Sequence, residues 1–259
     1  LNHSIQKYAG FSTMLPAFRE QKDSRFGSKL LQNQHGKFVD VSNEAGLINN
    51  VLSFGLGAAV SDLNNDGWPD LYVTNDYNEN DYLYINQQNG TFREVVRQAM
   101  DYTSFYAMGT EAADLNNDGW MDIMTLDMLP ESSERLRLTA GDDNYDKYQQ
   151  LLAAGFHDQT MRNMLHLNLA KPGTIPRFAE LGQLAGISNT DWSWAVLAAD
   201  FDNDTWKDLY VTNGYARDYT NMEFLKFSVD KQLEAQRGGR PLTQMEVIAQ
   251  MPAINEANY

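Results

Sequence analysis

Cysteine is absent from this chain of 259 residues. Disulfide bonds, thiolate metal sites and cysteine nucleophiles are therefore excluded from its chemistry. Long apolar stretches are missing too: no run of about 18 apolar residues occurs, so no membrane-spanning helix is predicted. Leu1 is not followed by the charged segment that opens a signal peptide, and we expect any export signal to lie outside this sequence.

Basic residues are scarce. The chain has 20 Lys and Arg against 35 Asp and Glu, which gives a formal net charge of −15 at pH 7. Nucleic acids and anionic membrane surfaces are bound through clustered Lys and Arg, so neither is an expected partner. The acidic balance favours cations, or neutral and cationic partners.

Recognisable catalytic motifs are also missing. The sequence contains no G-x-S-x-G, H-E-x-x-H or phosphate-loop pattern, and the four histidines show no ligand spacing. We expect His166 to lie on the surface of a strand. The chain is therefore predicted not to be an enzyme. Acid pairs suited to glycoside chemistry stay open as an alternative, because the distances between carboxylates cannot be read from a sequence.

A repeated pattern is what the sequence does have. A hairpin-like stretch precedes a small-residue stretch, an acidic loop and an apolar stretch, three times over. Matching residues are Leu30, Leu83 and Leu165; Asn33, Asn86 and Asn168; Phe38, Phe92 and Phe178. A unit of about 50 residues with short alternating segments is typical of propellers and solenoids.

Each unit is predicted to hold four strands. Residues 83–86 and 91–95 alternate around a turn at Asn89-Gly90, which indicates a hairpin, and two further strands flank the acidic loop. We therefore predict an all-β fold with helical insertions. The insertions are residues 129–162 and 215–259, and Thr243 with Glu246 forms a capping box that opens a short helix in the second.

The acidic loops carry the strongest chemical signal. Each places oxygen-bearing side chains at loop positions 1, 3, 5 and 9, and a turn at position 6 lets the backbone carbonyl of position 7 point inward. Hard oxygen donors that converge in this way suit Ca²⁺, with Mg²⁺ as second choice. The candidate ligands are Asp62, Asn64, Asp66, Trp68 and Asp70; Asp114, Asn116, Asp118, Trp120 and Asp122; Asp200, Asp202, Asp204, Trp206 and Asp208.

The composition of these loops allows two other interpretations. An EF-hand needs a bidentate Glu at position 12, where this chain has Val73, Thr125 and Val211, so that interpretation fails. Asp and Asn also form ordinary turns by capping the local backbone. Three equivalent loops favour metal instead, because a divalent ion removes the repulsion among their carboxylates. Three bound Ca²⁺ would change the formal charge from −15 to −9.

Position 6 differs among the three loops, whereas position 7 is tryptophan in all of them. Thr205 replaces the glycine of the other two loops, and threonine reaches the required backbone conformation less easily, so the third site is the weakest of the three predictions. The tryptophan rings at position 7 are expected to lie over the blade edge. A sugar-stacking surface is the alternative for them.

These residues resemble a known family. Residues 54–73, FGLGAAVSDLNNDGWPDLYV, resemble the FG-GAP repeat, also called the VCBS repeat, of integrin α-subunit propellers and many bacterial surface proteins. Residues 75–86 and 190–194 are similar to the bacterial branch related to cartilage acidic protein, whose members often carry an ASPIC/UnbV domain. The resemblance covers residues 28–214. It implies a seven-bladed propeller, calcium between the first two strands of a blade, export to the cell surface and a binding role.

The predicted blades do not complete a ring. Residues 28–41 supply only an outer hairpin, 54–96 and 107–181 are full blades, and 194–213 are only the inner strands of another. Propellers need at least about four blades. We therefore predict that the chain is a segment of a longer protein, or that other copies or chains cover its open edges.

Two functions compete at this stage. The first is a calcium-stabilised module of an extracellular or cell-surface protein, which binds a protein or glycan ligand. The second is a calcium-dependent enzyme that acts on polysaccharide as a lyase. In such an enzyme, an open calcium site would polarise a uronate and a basic residue would abstract a proton. The repeats, the acidity and the missing catalytic motifs favour the first.

Overall fold

The computed structural model of the chain describes residues 16–22, 27–139, 145–169, 175–214, 217–218 and 220–253, and this part is mostly β-sheet. The strands are β1 Leu31–Gln34, β2 Lys37–Asp40, β3 Gly55–Ser61, β4 Asp70–Asn75, β5 Tyr82–Asn86, β6 Phe92–Glu94, β7 Thr103–Ser104, β8 Thr110–Ala113, β9 Asp122–Thr125, β10 Gln159–Thr160, β11 Met164–Asn168, β12 Phe178–Glu180, β13 Ser193–Ala199 and β14 Asp208–Asn213. The helices are α1 Val96–Ala99, α2 Ser133–Thr139, α3 Tyr145–Ala153, α4 Met222–Gln236 and α5 Gln244–Gln250, besides a short 3₁₀ turn Pro16–Phe18.

Two antiparallel sheets have four strands each. The first has the order β3–β4–β5–β6 and the second the order β8–β9–β11–β12. The predicted hairpin around Asn89-Gly90 is confirmed: β5 pairs with β6, and Asn86 lies opposite Phe92. The four strands per unit are likewise confirmed, because the first two strands flank the acidic loop and the last two form the hairpin.

Two further hairpins have two strands each. One is β1–β2 and the other is β13–β14. The register of β13–β14 follows that of β3–β4, since Leu197 lies opposite Tyr210 as Ala59 lies opposite Tyr72. A small parallel pairing of β7 with β10 joins the start of the second unit to its insertion, and the sequence pattern did not predict it.

The first strands of successive units lie side by side. β8 lies between β3 and β13, and the N–H of Gly109 donates to the carbonyl of Trp194 across this contact (3.0 Å). A Cβ on Gly109 would come within 2.4 Å of that carbonyl oxygen, and one on Gly57 within 2.8 Å of the carbonyl oxygen of Met108. Glycine is therefore required at both positions because the backbones approach so closely.

The apolar core is divided among the contacts between successive units. Each fully buried aliphatic or aromatic side chain contributes about 1.5–3 kcal/mol relative to exposure. Leu63, Tyr72, Leu83, Val95, Ile123 and Phe178 fill the space between the two four-stranded sheets. Met108, Met124, Leu126, Val196 and Val211 lie between the second sheet and β13–β14, while Ala45, Leu47, Val73, Tyr82 and Tyr84 lie between the turn after β2 and the first sheet. This division is typical of propeller blades.

Four of the five helices in the described part of the chain occupy the insertions, whereas α1 follows β6 directly. α2 and α3 follow β9, and α4 and α5 follow β14. The predicted capping box is confirmed: the Thr243 hydroxyl accepts the N–H of Glu246, whose carboxylate accepts the N–H of Thr243. Among the described residues, no helix has the length and apolar character to cross a membrane.

The expectation for His166 was wrong. Its side chain is buried, and its Nε2 lies 3.1 Å from the carbonyl oxygen of Tyr102. Burial lowers the pKa of His166 to about 4, so the ring is neutral at pH 7. Strand alternation alone could not reveal this, because both faces of β11 are covered, one of them by the chain around Tyr102.

Candidate metal-binding loops

The three acidic loops occupy equivalent places in the fold. Residues 62–70 connect β3 to β4, residues 114–122 connect β8 to β9, and residues 200–208 connect β13 to β14. Because β3, β8 and β13 lie side by side, the loops follow one another along the same end of the molecule. The repeat in the sequence thus becomes a row of loops.

Side-chain oxygens form the turn of the first loop. Oδ1 and Oδ2 of Asp62 accept the N–H groups of Asp66 (3.0 Å) and Gly67 (2.7 Å). Oδ1 of Asp66 accepts the N–H of Trp68 (2.9 Å), and Asp70 accepts an N–H from the start of the loop (3.0 Å). The loop backbone is therefore fixed by carboxylates at positions 1, 5 and 9.

The second and third loops repeat this pattern. Asp114 and Asp200 each accept the N–H groups of positions 5 and 6, at 2.9 to 3.1 Å. Asp118 and Asp204 accept the N–H of position 7, both at 2.8 Å. All three loops therefore present the same arrangement of oxygens, whichever residue stands at position 6.

Thr205 adopts the positive-φ backbone conformation that threonine reaches less easily than glycine. Its φ is +81°, close to +87° for Gly67 and +86° for Gly119. Positive φ in a β-branched residue is strained, because the side chain approaches the backbone. The threonine loop therefore keeps its shape at a conformational cost that the glycine loops do not have.

The third loop brings three carboxylates together. Asp200, Asp202 and Asp208 each offer an oxygen, and these three atoms lie within 4.8 Å of one another. Ligands at about 2.3–2.6 Å from one Ca²⁺ are separated by at most about 5 Å, so the three oxygens fit a single ion. Asp204 is the remaining acid of the loop, and one of its oxygens accepts the N–H of Trp206.

The first two loops have asparagine at position 3. Nδ2 of Asn64 donates to Asp66 (3.1 Å), and Nδ2 of Asn116 donates to Asp118 (2.9 Å). The amide oxygen of each accepts the N–H of position 5 at 3.1 Å. In the described part of the chain, the third loop forms the one group of three carboxylates with this spacing.

Position 9 connects two of the loops to the hairpin of their own sheet. Oδ1 of Asp70 accepts the N–H of Asn86, and Oδ1 of Asp122 accepts the N–H of Asn168, both at 2.8 Å. Both carboxylates are buried, and burial raises the pKa of Asp70 to about 6 and raises that of Asp122. Asp208 is exposed, and no described residue donates to its Oδ1.

Asparagines at position 4 join one loop to the next, which the sequence analysis missed. Nδ2 of Asn65 donates to the carbonyl of Gly119, and Nδ2 of Asn117 donates to the carbonyl of Thr205, both at 3.1 Å. The signal was present, because asparagine recurs at this position in all three loops. Its role depends on the spacing between units, which only the fold supplies.

The tryptophans of position 7 differ among the loops. The side chains of Trp68 and Trp206 are about half exposed, while Trp120 is less exposed. In the first and third loops, the expected packing over a blade edge can therefore account only for the covered half of each tryptophan side chain.

Three buried acids lie away from the loops, at the opposite ends of β4 and β9. Oδ1 of Asp81 accepts the N–H of Asn75, and Oδ2 of Asp127 accepts the N–H groups of Phe105 and Tyr106. Burial raises the pKa of both Asp76 and Asp81 to about 7 and raises that of Asp127. Their hydrogen bonds to the backbone assign Asp81 and Asp127 to the support of the strand ends.

Comparison with known proteins gives a match to a repeat family over part of the chain. No curated protein matches the chain. The family model described as an FG-GAP-like repeat matches residues 62–125, which run from the first residue of the first loop through the second loop to the end of β9. This part of the chain is thus similar to an FG-GAP-like repeat, and the antiparallel sheets around it agree with the propellers that such repeats form.

Proposed function

We propose that the chain is a calcium-binding, non-catalytic propeller module of an exported or cell-surface protein. What carries the proposal is the repetition of one oxygen-lined turn in three loops, with three carboxylates of the third loop within 4.8 Å of one another. Each loop would use its side chains at positions 1, 3, 5 and 9 and the carbonyl of position 7. The FG-GAP-like match at residues 62–125 supports a role in binding or adhesion.

Calcium in these loops would act as a structural ion. Each loop joins the first two strands of its unit, and a divalent ion offsets the repulsion of three or four carboxylates within nine residues. Mg²⁺ is the second choice because it requires stricter octahedral geometry. Sites of this kind in extracellular modules commonly have a Kd of about 10⁻⁴–10⁻³ M, which matches the calcium concentration outside cells.

Melting in the presence and absence of calcium tests the proposal. At ten to a hundred times Kd, mass action adds roughly 1.4–2.7 kcal/mol per site to the free energy of unfolding. The melting temperature is therefore expected to rise between excess EDTA and millimolar Ca²⁺. An unchanged melting temperature with both Ca²⁺ and Mg²⁺ would reject structural metal.

A paired variant locates the ion. Asp200→Asn in the third loop removes one of the three clustered carboxylates, at position 1, where all three loops have aspartate. The number of Ca²⁺ bound, measured by calorimetric titration, is expected to fall by one. Asp230→Asn, on an exposed position of α4, is the matched control and leaves the stoichiometry unchanged. Equal stoichiometry in both variants would remove the third loop from the proposal.

The ligand in this proposal is a protein or a glycan. The proposal also assigns the chain to the bacterial branch related to cartilage acidic protein. A glycan array with immobilised protein in Ca²⁺ is the direct assay. Turnover of any polyuronate by the chain would contradict the non-catalytic role.

A further inference from the structure

Four aromatic side chains meet at the ends of the strands that lie opposite the acidic loops. The rings of Phe54 and Tyr77 pack edge to face with their centroids 4.9 Å apart, and those of Phe105 and Tyr106 do so at 4.5 Å. Tyr77 and Tyr106 join the two pairs, at 6.2 Å and an interplanar angle of 87°. All four side chains are only partly buried. Rings at right angles form the walls of a corner, whereas a flat stacking surface needs coplanar rings.

The two complete sheets supply one wall of this corner each. Tyr77 follows β4 of the first sheet, and Tyr106 precedes β8 of the second. A carboxylate holds the backbone of each: Oδ1 of Asp76 accepts the N–H of Tyr77 (2.8 Å), and Oδ2 of Asp127 accepts the N–H of Tyr106 (3.2 Å). The Tyr77–Tyr106 corner therefore has both of its walls fixed by acids.

Tyr77 holds a strained backbone conformation in this corner. Its φ is +64°, which is uncommon for a bulky side chain because that side chain approaches the backbone. Glycine would adopt the same conformation at a lower cost. Residues held in such conformations cluster at ligand-binding sites, where the surrounding structure fixes them. The position of the Tyr77 ring is thus maintained at a conformational cost.

Asp76 differs from the two buried acids near it in its hydrogen bonds. Both oxygens of Asp81 and both oxygens of Asp127 accept hydrogen bonds. Oδ1 of Asp76 accepts the N–H of Tyr77, but no described residue donates to its Oδ2. The side chain is nevertheless largely withdrawn from water, since Asp76 is only 5% exposed. A buried carboxylate in this situation requires a partner for its charge.

The charges around Asp76 are all negative. Burial raises its pKa to about 7, and the charges of Asp127 and Asp81 add to the shift. A cation beside Oδ2 would favour the charged carboxylate instead. The net charge of −15 would also attract a cationic ligand from a distance. Aromatic faces and a negative charge are thus combined in one place, and these two features recognise organic cations.

An ammonium group of the chain itself already lies against this aromatic cluster. Nζ of Lys147, in α3, is 5.6 Å from the centroid of the Phe105 ring, within the distance of about 6 Å at which an aromatic face attracts a cation. A primary ammonium also has three N–H donors that need acceptors. Aromatic walls supply none of these, and Oδ2 of Asp76 supplies one. A quaternary ammonium has no donors, so it suits the corner better.

We propose that the Tyr77–Tyr106 corner, together with the carboxylate of Asp76, binds a quaternary ammonium group. The methyl groups of the ligand would lie on the two ring faces, and the carboxylate would balance its charge. The ligand class is a compound that carries a trimethylammonium group, as choline does. The site lies at the opposite end of β4 from the acidic loop, so it is separate from the proposed calcium sites and does not depend on them.

Calorimetric titration with three matched ligands tests the site in millimolar Ca²⁺. Choline has the quaternary group, ethanolamine is its primary counterpart, and the neutral tert-butyl analogue of choline has the same shape without the charge. We expect choline to bind at least about tenfold more tightly than either of the others. The proposal is overturned if choline does not bind at about 50 mM, or if it binds no more tightly than ethanolamine or the neutral analogue. Each of these results leaves the melting test of the calcium sites unaffected.

The source of the quaternary group is found with vesicles of phosphatidylcholine. Co-sedimentation of the chain with these vesicles, in competition with free choline, would support a lipid headgroup as the ligand. Binding of free choline without co-sedimentation would support a soluble compound.

Paired variants locate the site. Tyr106→Leu removes the ring, and Asp76→Asn removes the charge but keeps an acceptor for the N–H of Tyr77. Each is expected to weaken choline binding at least about tenfold. Tyr106→Phe is the matched control because it keeps the ring, and Asp230→Asn, at an exposed position of α4, removes a charge elsewhere. Both controls should bind choline like wild type.

Circular dichroism confirms that each variant is folded before the affinities are compared. Wild-type affinity in Tyr106→Leu or in Asp76→Asn would contradict the assignment of the site. A loss of binding in Tyr106→Phe would contradict it as well, since the aromatic face is kept in that variant.

Discussion

Thr205 shows how one residue changes a loop that is otherwise repeated. It holds a φ of +81° where glycine stands in the other loops. Thr205→Gly removes a strain of about 1–2 kcal/mol, offset in part by the greater backbone freedom of glycine in the unfolded chain. We expect the variant to be about 1 kcal/mol more stable in urea denaturation with EDTA. Gly119→Thr is the reciprocal change and should lose a similar amount; equal stability of both variants and wild type would contradict the strain.

Asp76 is expected to make stability depend on pH. Burial, with Asp127 and Asp81 nearby, raises its pKa to about 7, against about 3.9 in an unfolded chain. The folded state therefore holds a proton that the unfolded state releases between about pH 4 and 7, so the stability contribution of this group falls as the pH rises through that range. Asp76→Asn abolishes this loss. Relative to wild type, the variant should gain on the order of 2 kcal/mol between pH 4 and pH 8.

Urea midpoints at several pH values measure the effect of Asp76→Asn. Asp230→Asn removes an exposed carboxylate of α4 and should follow the wild-type curve. A gain for Asp76→Asn that is larger at pH 4 than at pH 8 would show that the sign is wrong.

Residue identities alone predicted which side chains line the loops, but not which carboxylates are buried. The spacing of Asp and Asn identified the loop positions because those positions are local in sequence. The burial of Asp76, Asp81 and Asp127 depends on segments that come from elsewhere in the chain, such as the region around Ser104. No local pattern contains that information.

At the scale of the elements, the hydrogen bonds between loops should stiffen the row of inner strands. Asn65→Ala and Asn117→Ala each remove a bond to the next loop, which contributes about 0.5–1.5 kcal/mol. Asn203→Ala is the matched control: Asn203 has the same positive φ but no hydrogen-bond partner among the described residues. We expect the first two variants to lose about 1 kcal/mol more than the control in urea denaturation. Equal losses would assign the effect to backbone conformation alone.

Strands and their order were largely predictable, whereas contacts between distant segments were not. Alternation and the Asn-Gly turn identified β5 and β6, and the capping box identified α5. The parallel pairing of β7 with β10 and the burial of His166 were missed. Both depend on how the insertion folds back against its own sheet, and a periodicity within one strand does not record that.

For the whole molecule, the net charge of −15 predicts a response to salt. The screening length falls from about 30 Å at 0.01 M to about 10 Å at 0.1 M salt, so repulsion among the loop carboxylates weakens. In EDTA, the free energy of unfolding should therefore rise as NaCl increases from 10 to 200 mM. In millimolar Ca²⁺ the rise should be smaller, because bound ions already offset that repulsion. An equal rise in both conditions would count against calcium in the loops.

The two four-stranded sheets differ in how much chain each of them requires. The first is built from residues 55–94 without a long interruption, while the second includes the insertion that carries α2 and α3 between β9 and β11. Contacts that are close in sequence form faster, because less chain entropy is lost in closing the loop. During synthesis, the first sheet can therefore assemble while the strands of the second are still emerging from the ribosome. The molecule is expected to fold from its N-terminal side, with β8 added to a template that β3 already provides.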